Sequence, residues 1–301
     1  MPASDLMPSY MTEPERIRKS TYSIDLEPAD PEAQPAVPPA KKTGGKPGIF
    51  QQIAFTATEL PRGSSGLGIS DLALQATFAF PAPTPDSPLV LTPAFEAQFL
   101  DGPTTPDLPA RLYDASIQFR YLRKLCPNWG MDIAITPGWH GDFEPNDGQT
   151  FRLPARAILA YDWSPNLQLI GGLAYLDRDD VDFLPVAGVI WTPNEDTRLE
   201  LLIPRPRIAR RICCDCYAEY WGYIVGEFGG GSYGIRRADG SADVATLSDL
   251  RLIVGLERKV AGGINARFET GWVFSRQVDY QSGTPDFMPG DTFMVRAGAW
   301  Y

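Results

Sequence analysis

The sequence predicts an all-β protein, an up-and-down antiparallel transmembrane β-barrel of 14 strands, with 12 strands as the alternative count. Three observations predict this fold class. Short Pro-Asn turns separate β-rich segments, the segments alternate between apolar and polar residues, and charged residues recur in the middle of the polar faces.

The clearest hairpin is predicted in Phe183–Arg207, where two apolar runs flank a short polar stretch around Pro193-Asn194. Proline pre-sets φ, and asparagine bonds its own backbone or adopts positive φ, so the pair indicates a turn. The same device recurs at Pro127-Asn128 and Pro165-Asn166. Three similar turns predict three hairpins whose tight ends lie on one side of the barrel.

The clearest strand is predicted in Leu112–Leu122, which alternates for the length that a tilted barrel strand needs to cross a bilayer. Similar alternation recurs around residues 72–80, 93–99, 131–136, 155–161, 167–175, 250–257, 264–272 and 293–301. Soluble sandwiches also alternate. Aromatic residues near strand ends favour the membrane barrel, because such residues form interfacial girdles: Tyr113, Tyr121, Tyr161, Trp163, Tyr175 and Trp191. The aromatic end of the last strand, Tyr301, is typical of the same class.

The strand count follows from placing the Pro-Asn turns on the periplasmic side. A strand at Ser232–Arg237, after a turn at Gly229–Gly231, is then required for the last strand to end on that side. Longer segments are expected to be outer loops: Asp101–Ala110, Gly141–Thr150, Pro204–Tyr217 and Gln277–Asp291. This topology puts Cys126 at the periplasmic end and Cys213, Cys214 and Cys216 outside. It therefore predicts that any disulfide forms within the cluster, between Cys213 and Cys216.

The remaining composition sets broad limits. Residues 1–50 contain nine prolines and few large apolar residues, which predicts a disordered arm before a barrel at residues 51–301. The first twenty residues contain no apolar stretch of the kind a secretory signal needs. A formal net charge of −10 argues against nucleic acid as a partner. The expected partners are outer-membrane lipid and small solutes, and the sequence leaves the oligomeric state open.

Several stretches make the chain resemble a known family. They are LPARLYDASIQFRYL, GLAYLDRDDVDFLPVAGVIWTPNEDTRLELLIPRPRIARR, GEFGGGSYGIRRADG and SGTPDFMPGDT. The chain resembles an uncharacterised family of bacterial outer-membrane β-barrel proteins, a domain of unknown function, over about residues 48–301. The resemblance implies a barrel fold and an outer-membrane location, and it implies no activity and no functional residues.

Candidate chemical sites are few. His140 is the single histidine, and no serine follows it closely, so an ordinary strand-end histidine is favoured over the base of an envelope hydrolase. Cys213, Cys214 and Cys216 lack the fourth ligand of a closed zinc site. The acidic run Asp177–Asp182 departs from the EF-hand spacing, so a solvated outer loop is predicted there and not a calcium site. The sequence therefore predicts no catalytic residue, no cofactor and no metal, and a protein that is not an enzyme.

Charged residues on the polar faces are the remaining candidates for lining a lumen: Asp114, Arg120, Asp132, Arg156, Arg198, Glu200, Arg251, Glu257, Arg267, Glu269 and Arg296. They can form neutralised pairs that fill the barrel, or a porin-like lining that selects solutes by charge. The predicted function is an outer-membrane barrel of unknown activity, a passive channel or transporter for small solutes. The alternatives are a structural or adhesive barrel with a plugged lumen, and the envelope hydrolase.

Overall fold

The computed structural model describes residues 48–63, 66–84, 87–102, 106–144, 150–215 and 217–301. Across these residues, fourteen antiparallel strands form one closed barrel. They are β1 Phe50–Leu60, β2 Gly68–Thr84, β3 Ser87–Asp101, β4 Arg111–Cys126, β5 Trp129–Ile135 with Gly138–Gly141, β6 Phe151–Arg152 with Ala155–Ser164, β7 Leu167–Tyr175, β8 Phe183–Asn194, β9 Thr197–Ile203, β10 Arg207–Cys214, β11 Ala218–Gly229 with Ser232–Arg236, β12 Ala242–Val260, β13 Asn265–Tyr280 and β14 Thr292–Trp300. The predicted arm lies outside the described residues except for residues 48–50.

Three strands are interrupted, and each interruption has a local cause. Pro137 and Pro154 stand in the gaps of β5 and β6, where a residue without an N–H cannot complete the ladder. Their carbonyl oxygens still accept hydrogen bonds from the neighbouring strands, at Ile117 and Thr136. In β11 the gap holds Gly230, whose φ of 94° is open to glycine at little cost. Both parts of β11 pair with β12, so they form one bulged strand.

Consecutive strands pair in order around the barrel, and β1 pairs with β14 to close it. The strand ends that border residues 127–128, 165–166, 195–196, 215–217 and 261–264 lie at one end of the barrel, together with the start of β1 and the end of β14. We call this the turn end. The strand ends that border residues 61–67, 102–110, 142–150, 176–182, 204–206, 237–241 and 281–291 lie at the opposite end, the loop end. The three Pro-Asn turns therefore share one end, as predicted.

The total of fourteen strands is confirmed, but two of the predicted assignments behind it are wrong. The segment Pro204–Tyr217 is not an outer loop, because residues Arg207–Cys214 form β10 and pair with β9 and β11. Ser232–Arg236 is the continuation of β11 past its glycine bulge, and not a separate strand. The charged run Arg207–Arg211 concealed β10, and the Gly229–Gly231 stretch resembled a turn. The two errors cancel in the count.

The corrected topology moves the cysteines. Cys213 and Cys214 end β10 at the turn end, which is also where Cys126 ends β4, so the predicted separation of these thiols across the barrel is wrong. All three are exposed free thiols. Cys216, and with it the predicted Cys213–Cys216 bond, lies outside the described residues.

The outward-facing side chains form a continuous apolar belt. Every strand contributes at least one large apolar side chain that is 37% exposed or more: Ile53, Phe55, Leu72, Leu74, Phe95, Ile117, Phe119, Ile133, Leu159, Leu173, Trp191, Leu201, Ile208, Ile224, Leu252, Val254, Phe268 and Phe293. Apolar patches on the surfaces of water-soluble monomers seldom exceed a few hundred square ångströms. A belt around the whole circumference therefore needs a hydrocarbon surrounding. No helix among the described residues is long and apolar enough to cross a membrane.

Aromatic side chains bound this belt at both ends. At the turn end, the Trp129 and Tyr161 rings lie 4.9 Å apart and Trp163 continues the cluster. At the loop end, the Tyr175 and Phe183 rings lie 5.1 Å apart. Two aromatic girdles on either side of an apolar band are typical of membrane barrels.

The belt predicts a difference between neighbouring residues of β4. Phe119 faces outward and Gln118 faces the interior. We expect Phe119→Arg to lower the free energy of unfolding by about 2–4 kcal/mol in lipid vesicles, because the guanidinium would enter hydrocarbon. Gln118→Arg should cost much less. Denaturant titration of both variants checks this, and equal losses would contradict the assignment of faces.

Candidate functional site

The interior of the barrel is the candidate functional site. Alternation along the strands carries all eleven charged residues predicted to line a lumen onto the inner face, where they are buried or half-buried. They are Asp114, Arg120, Asp132, Arg156, Arg198, Glu200, Arg251, Glu257, Arg267, Glu269 and Arg296. Their use as the lining of a solute path stays a prediction.

One cluster of these residues joins β4, β5 and β6. The Arg120 guanidinium donates two hydrogen bonds, of 3.0 and 2.9 Å, to the Asp132 carboxylate, which is fully buried. Arg156 donates to the same carboxylate at 3.4 Å. Two guanidiniums thus share one carboxylate, which leaves positive charge in excess on the Arg156 side.

A second cluster is centred on Glu227 of β11, which the sequence analysis missed. Its carboxylate lies 2.9 Å from Arg296, 3.3 Å from Arg251 and 3.4 Å from Arg205. Arg296 also contacts Glu269, whose carboxylate accepts a 2.6 Å hydrogen bond from the Tyr223 hydroxyl. The alternation Tyr223, Val225, Glu227 was the signal that could have found it.

The other predicted residues are less connected. Glu257 pairs with Arg207 at 2.9 Å, and Glu200 accepts a 2.5 Å hydrogen bond from its strand neighbour Arg198. Arg267 is buried, and its Nε and Nη2 atoms have no hydrogen-bond partner among the described residues. The inner face is therefore filled with mostly neutralised pairs.

Opposite walls of the barrel touch near the loop end. Gly141 of β5 forms a parallel bridge with Gly234 of β11, six strands away, and the Asp142 N–H donates to the Gly234 carbonyl oxygen at 3.3 Å. The Asp142 carboxylate accepts from the Arg236 N–H at 2.7 Å. A Cβ atom on Gly141 would overlap the Gly234 carbonyl oxygen, so the approach requires glycine there. This cross-wall contact narrows the interior.

The connection 176–182 folds inward beside this contact. Arg178 is buried there and donates to the carbonyl oxygens of Gly230, at 2.5 Å, and Leu247, at 3.0 Å. Its guanidinium also lies 4.7 Å from the ring centre of Phe228 and pairs with Asp180. The acidic run predicted to be a solvated loop therefore contains an arginine that anchors the loop across the barrel.

A clamp on the 237–241 connection completes the loop end. The Asp107 carboxylate accepts from the Ala238 N–H at 2.6 Å and from the Arg237 Nε at 2.9 Å. The hydrogen bond from the Ala238 N–H, followed by that from Arg237 and its charge, outweighs partial burial and holds the pKa of Asp107 below its usual value. A lowered carboxyl pKa means that the clamp persists as the pH falls through the ordinary carboxyl range and opens only below it.

The inner surface also lines a cavity of about 140 Å³. Asp114 and His140 line it, and their side chains meet where β4 pairs with β5, with Asp114 Oδ2 2.6 Å from His140 Nδ1. The short bond places the proton of a neutral imidazole on Nδ1. His140 Nε2 and Asp114 Oδ1 are buried and have no hydrogen-bond partner in the described part of the chain.

In a hydrolase, Asp114 would be the acid that orients His140. Within the described residues, however, no nucleophile is hydrogen-bonded to His140 Nε2. Ser116 follows Asp114 on the same face of β4 and lines the same cavity. No hydrogen bond joins its hydroxyl to His140 Nε2. No serine follows His140 closely along the chain. Strand pairing brings Ser116 of the neighbouring strand β4 to the same cavity.

Removing the central carboxylate tests the Glu227 cluster. The Glu227 side chain is 8% exposed, and Glu227→Gln keeps its shape while it removes the charge that three arginines share. We expect the free energy of unfolding to fall by about 3–5 kcal/mol, because buried guanidiniums lose their counter-charge. Glu219→Gln is the matched control: its side chain is 45% exposed, and its loss should cost about 0–1 kcal/mol. Equal losses for the two variants would contradict this account.

The cross-wall contact gives a second test. Gly141→Ala should lower the unfolding midpoint in denaturant, because the new methyl group forces β5 away from β11. Gly171→Ala is the control, since a Cβ there meets nothing within 4 Å. An unchanged midpoint for Gly141→Ala would show that the walls separate at no cost.

Comparisons with known proteins add a family. Solved structures with a similar arrangement include the KdgM porin (10% identity, TM-score 0.39, 83% of this chain and 98% of that one) and a bacterial polysaccharide outer membrane secretin (11% identity, TM-score 0.41, 83% and 97%). A third is the Pseudomonas putida toluene transporter TodX (9% identity, TM-score 0.39, 85% and 89%). At these TM-scores the likenesses carry no argument about function. No curated protein matches the chain. The family model described as Domain of unknown function (DUF6268) matches residues 103–288, more than half of the chain, which therefore belongs to that family.

Proposed function

We propose that the protein is an outer-membrane β-barrel that passes small polar solutes through its interior. One observation carries the proposal: an apolar belt between two aromatic girdles surrounds an inner face dense in charged and polar side chains. Such a barrel has lipid on its outer side and water or polar solute on its inner side. The turn end faces the periplasm in this proposal, since bacterial barrels keep their short connections there.

The interior favours a narrow path over a wide pore. Glu269 and Arg296 are each 1% exposed, and the Gly141–Gly234 contact draws opposite walls together. A narrow passage with both signs of charge gives slow conduction and weak ion selectivity. Planar-bilayer recording of the refolded chain tests the proposal, and small, long-lived current steps are the expected result. Silent membranes at a high protein load would overturn it.

The Asp107 clamp predicts how the passage opens. We expect Asp107→Asn to raise the single-channel conductance at neutral pH. The 237–241 connection would lose its charged hydrogen-bond acceptor and move away from residue 107, which widens the opening at the loop end. Acidification below the lowered pKa of Asp107 should have the same effect in the unsubstituted protein.

The control for this variant lies in the same connection. Among the described residues, the Asp239 carboxylate accepts hydrogen bonds only from Ser241, in the same 237–241 connection. Asp239→Asn should therefore leave the conductance unchanged. An equal rise in conductance in both variants would show that any loss of charge loosens the 237–241 connection. That result would contradict a clamp at Asp107.

A second candidate function is a structural or adhesive barrel with a plugged interior. The inward-folded connection 176–182, fixed by Arg178 to β11 and β12, favours it. Here the loop end meets a partner and no solute crosses. Conductance separates the two functions: if Arg178→Ala and Asp107→Asn both remain silent in bilayers while the barrel stays folded, the plugged barrel is the better account.

A further inference from the structure

We propose that the 140 Å³ cavity is a binding site for a small uncharged polyhydroxylated solute of monosaccharide size. The inference deepens the proposed function and rests on it for the route by which a solute arrives. The cavity is lined by inner-face residues of β2 to β7 and β11 and by the inward connection 176–182.

The size of the cavity suits a six-membered ring. A cavity of about 150 Å³ holds a benzene molecule, so this one accepts a single ring of similar dimensions. Its room comes from small side chains on successive strands: Ala94 on β3, Ala134 on β5, Ala155 on β6 and Ala174 on β7. These methyl groups also supply an apolar surface for the C–H face of a sugar ring.

The polar part of the wall has unused hydrogen-bonding capacity. Ser116, Gln118 and Thr136 line the cavity from the adjacent strands β4 and β5. Within the described residues none of the three side chains makes a hydrogen bond to the protein, so their polar atoms are available to a ligand. Hydroxyl and amide groups both donate and accept, and a ligand hydroxyl matches them in both roles.

The cavity wall carries both positive and negative side chains, and they lie in different parts of it. Asp114 with His140 stands toward the loop end, and Arg156 stands where β5 and β6 pair, nearer the turn end. Arg152 and Arg178 each have an aspartate partner, Asp179 and Asp180. Positive charge is in excess on the Arg156 side, and Asp114 and Asp177 carry negative charge on the opposite side. A ligand with a net charge would therefore gain at one side and lose at the other.

The buried atoms without partners belong to these same residues. They are Asp114 Oδ1 and His140 Nε2, which accept, and Arg152 Nε and Arg156 Nε, which donate. A buried polar group without a partner is costly, because it has lost its hydrogen bonds to water. The hydroxyl groups of one neutral molecule both donate and accept, so they suit a wall with acceptors and donors better than an ion of either sign does.

Isothermal titration tests the inference on the full chain refolded in detergent micelles. The probes are D-glucose, D-glucuronate and D-glucosamine, which share a pyranose ring and differ in charge. We expect D-glucose to bind, and to bind more tightly than either charged analogue. Tighter binding of D-glucuronate or of D-glucosamine would overturn the assignment to an uncharged solute.

A matched pair of variants on β3 locates the site. Ala94 faces the cavity and pairs with Ser116, whereas Ala97 faces outward and pairs with Tyr113. Ala94→Leu should fill the cavity and weaken D-glucose binding by about tenfold or more, which is about 1.4 kcal/mol. Ala97→Leu should leave it unchanged. If Ala94→Leu fails to show heat-modifiable gel migration, the double variant Ser116→Ala/Gln118→Ala carries the same expectation without adding bulk.

The outcomes separate this inference from the proposed function. A protein that conducts in bilayers but binds no D-glucose overturns the inference and leaves the channel in place. A protein that binds D-glucose and loses it with Ala94→Leu, but never conducts, supports the cavity and overturns the channel. Binding that survives both cavity variants places the sugar elsewhere and overturns the inference.

Discussion

The pairing of β1 with β14 is the interaction on which the rest of the structure depends. Six registered residue pairs, from Ala54 with Trp300 to Glu59 with Val295, join the two ends of the sheet. Tyr301 and Ile53 add two more backbone hydrogen bonds beside them. In hydrocarbon an unpaired sheet edge would leave a row of N–H and C=O groups unsatisfied, at several kcal/mol each. Closure is therefore what allows the apolar belt to face lipid.

Closure also creates the interior and its chemical problem. Period-two alternation sends every second side chain inward, and the strands carry arginines and carboxylates at many of those positions. A charge inside a ring of apolar strands is costly unless it is paired. The structure meets this requirement twice, with a carboxylate shared by two guanidiniums at Asp132 and one shared by three at Glu227. In both networks the carboxylate is shared by guanidiniums from different parts of the chain, which the folded barrel brings together.

A feature of the fold or of the interior could be predicted from the sequence when the residues that determine it lie close together along the chain. The facing of β4 and the common end of the Pro-Asn turns follow from local patterns, and both were predictable. β10 was missed because Arg210 and Arg211 gave it the composition of a loop, although Ile208 and Ile212 kept the alternation. The bulge at Gly230 was interpreted as a turn, since a glycine with positive φ serves either purpose. Which inward charges meet was beyond the sequence, because pairing register between remote strands decides it.

The cross-wall contact shows most clearly what local pattern cannot specify. A fourteen-strand barrel with a circular section would keep β5 and β11 apart, yet Gly141 and Gly234 touch. The contact needs a glycine at Gly141. Asp142 holds the approaching backbone of β11, because its carboxylate accepts from the Arg236 N–H and its own N–H donates to the Gly234 carbonyl oxygen. The apolar cluster of Leu112, Tyr233 and Ile235 packs β4 against β11 beside it. Flattening therefore lets side chains from opposite walls pack directly, beside the cavity that lies among β2 to β7 and β11. The same contact that narrows the passage thus helps to define a site at which a solute can be held.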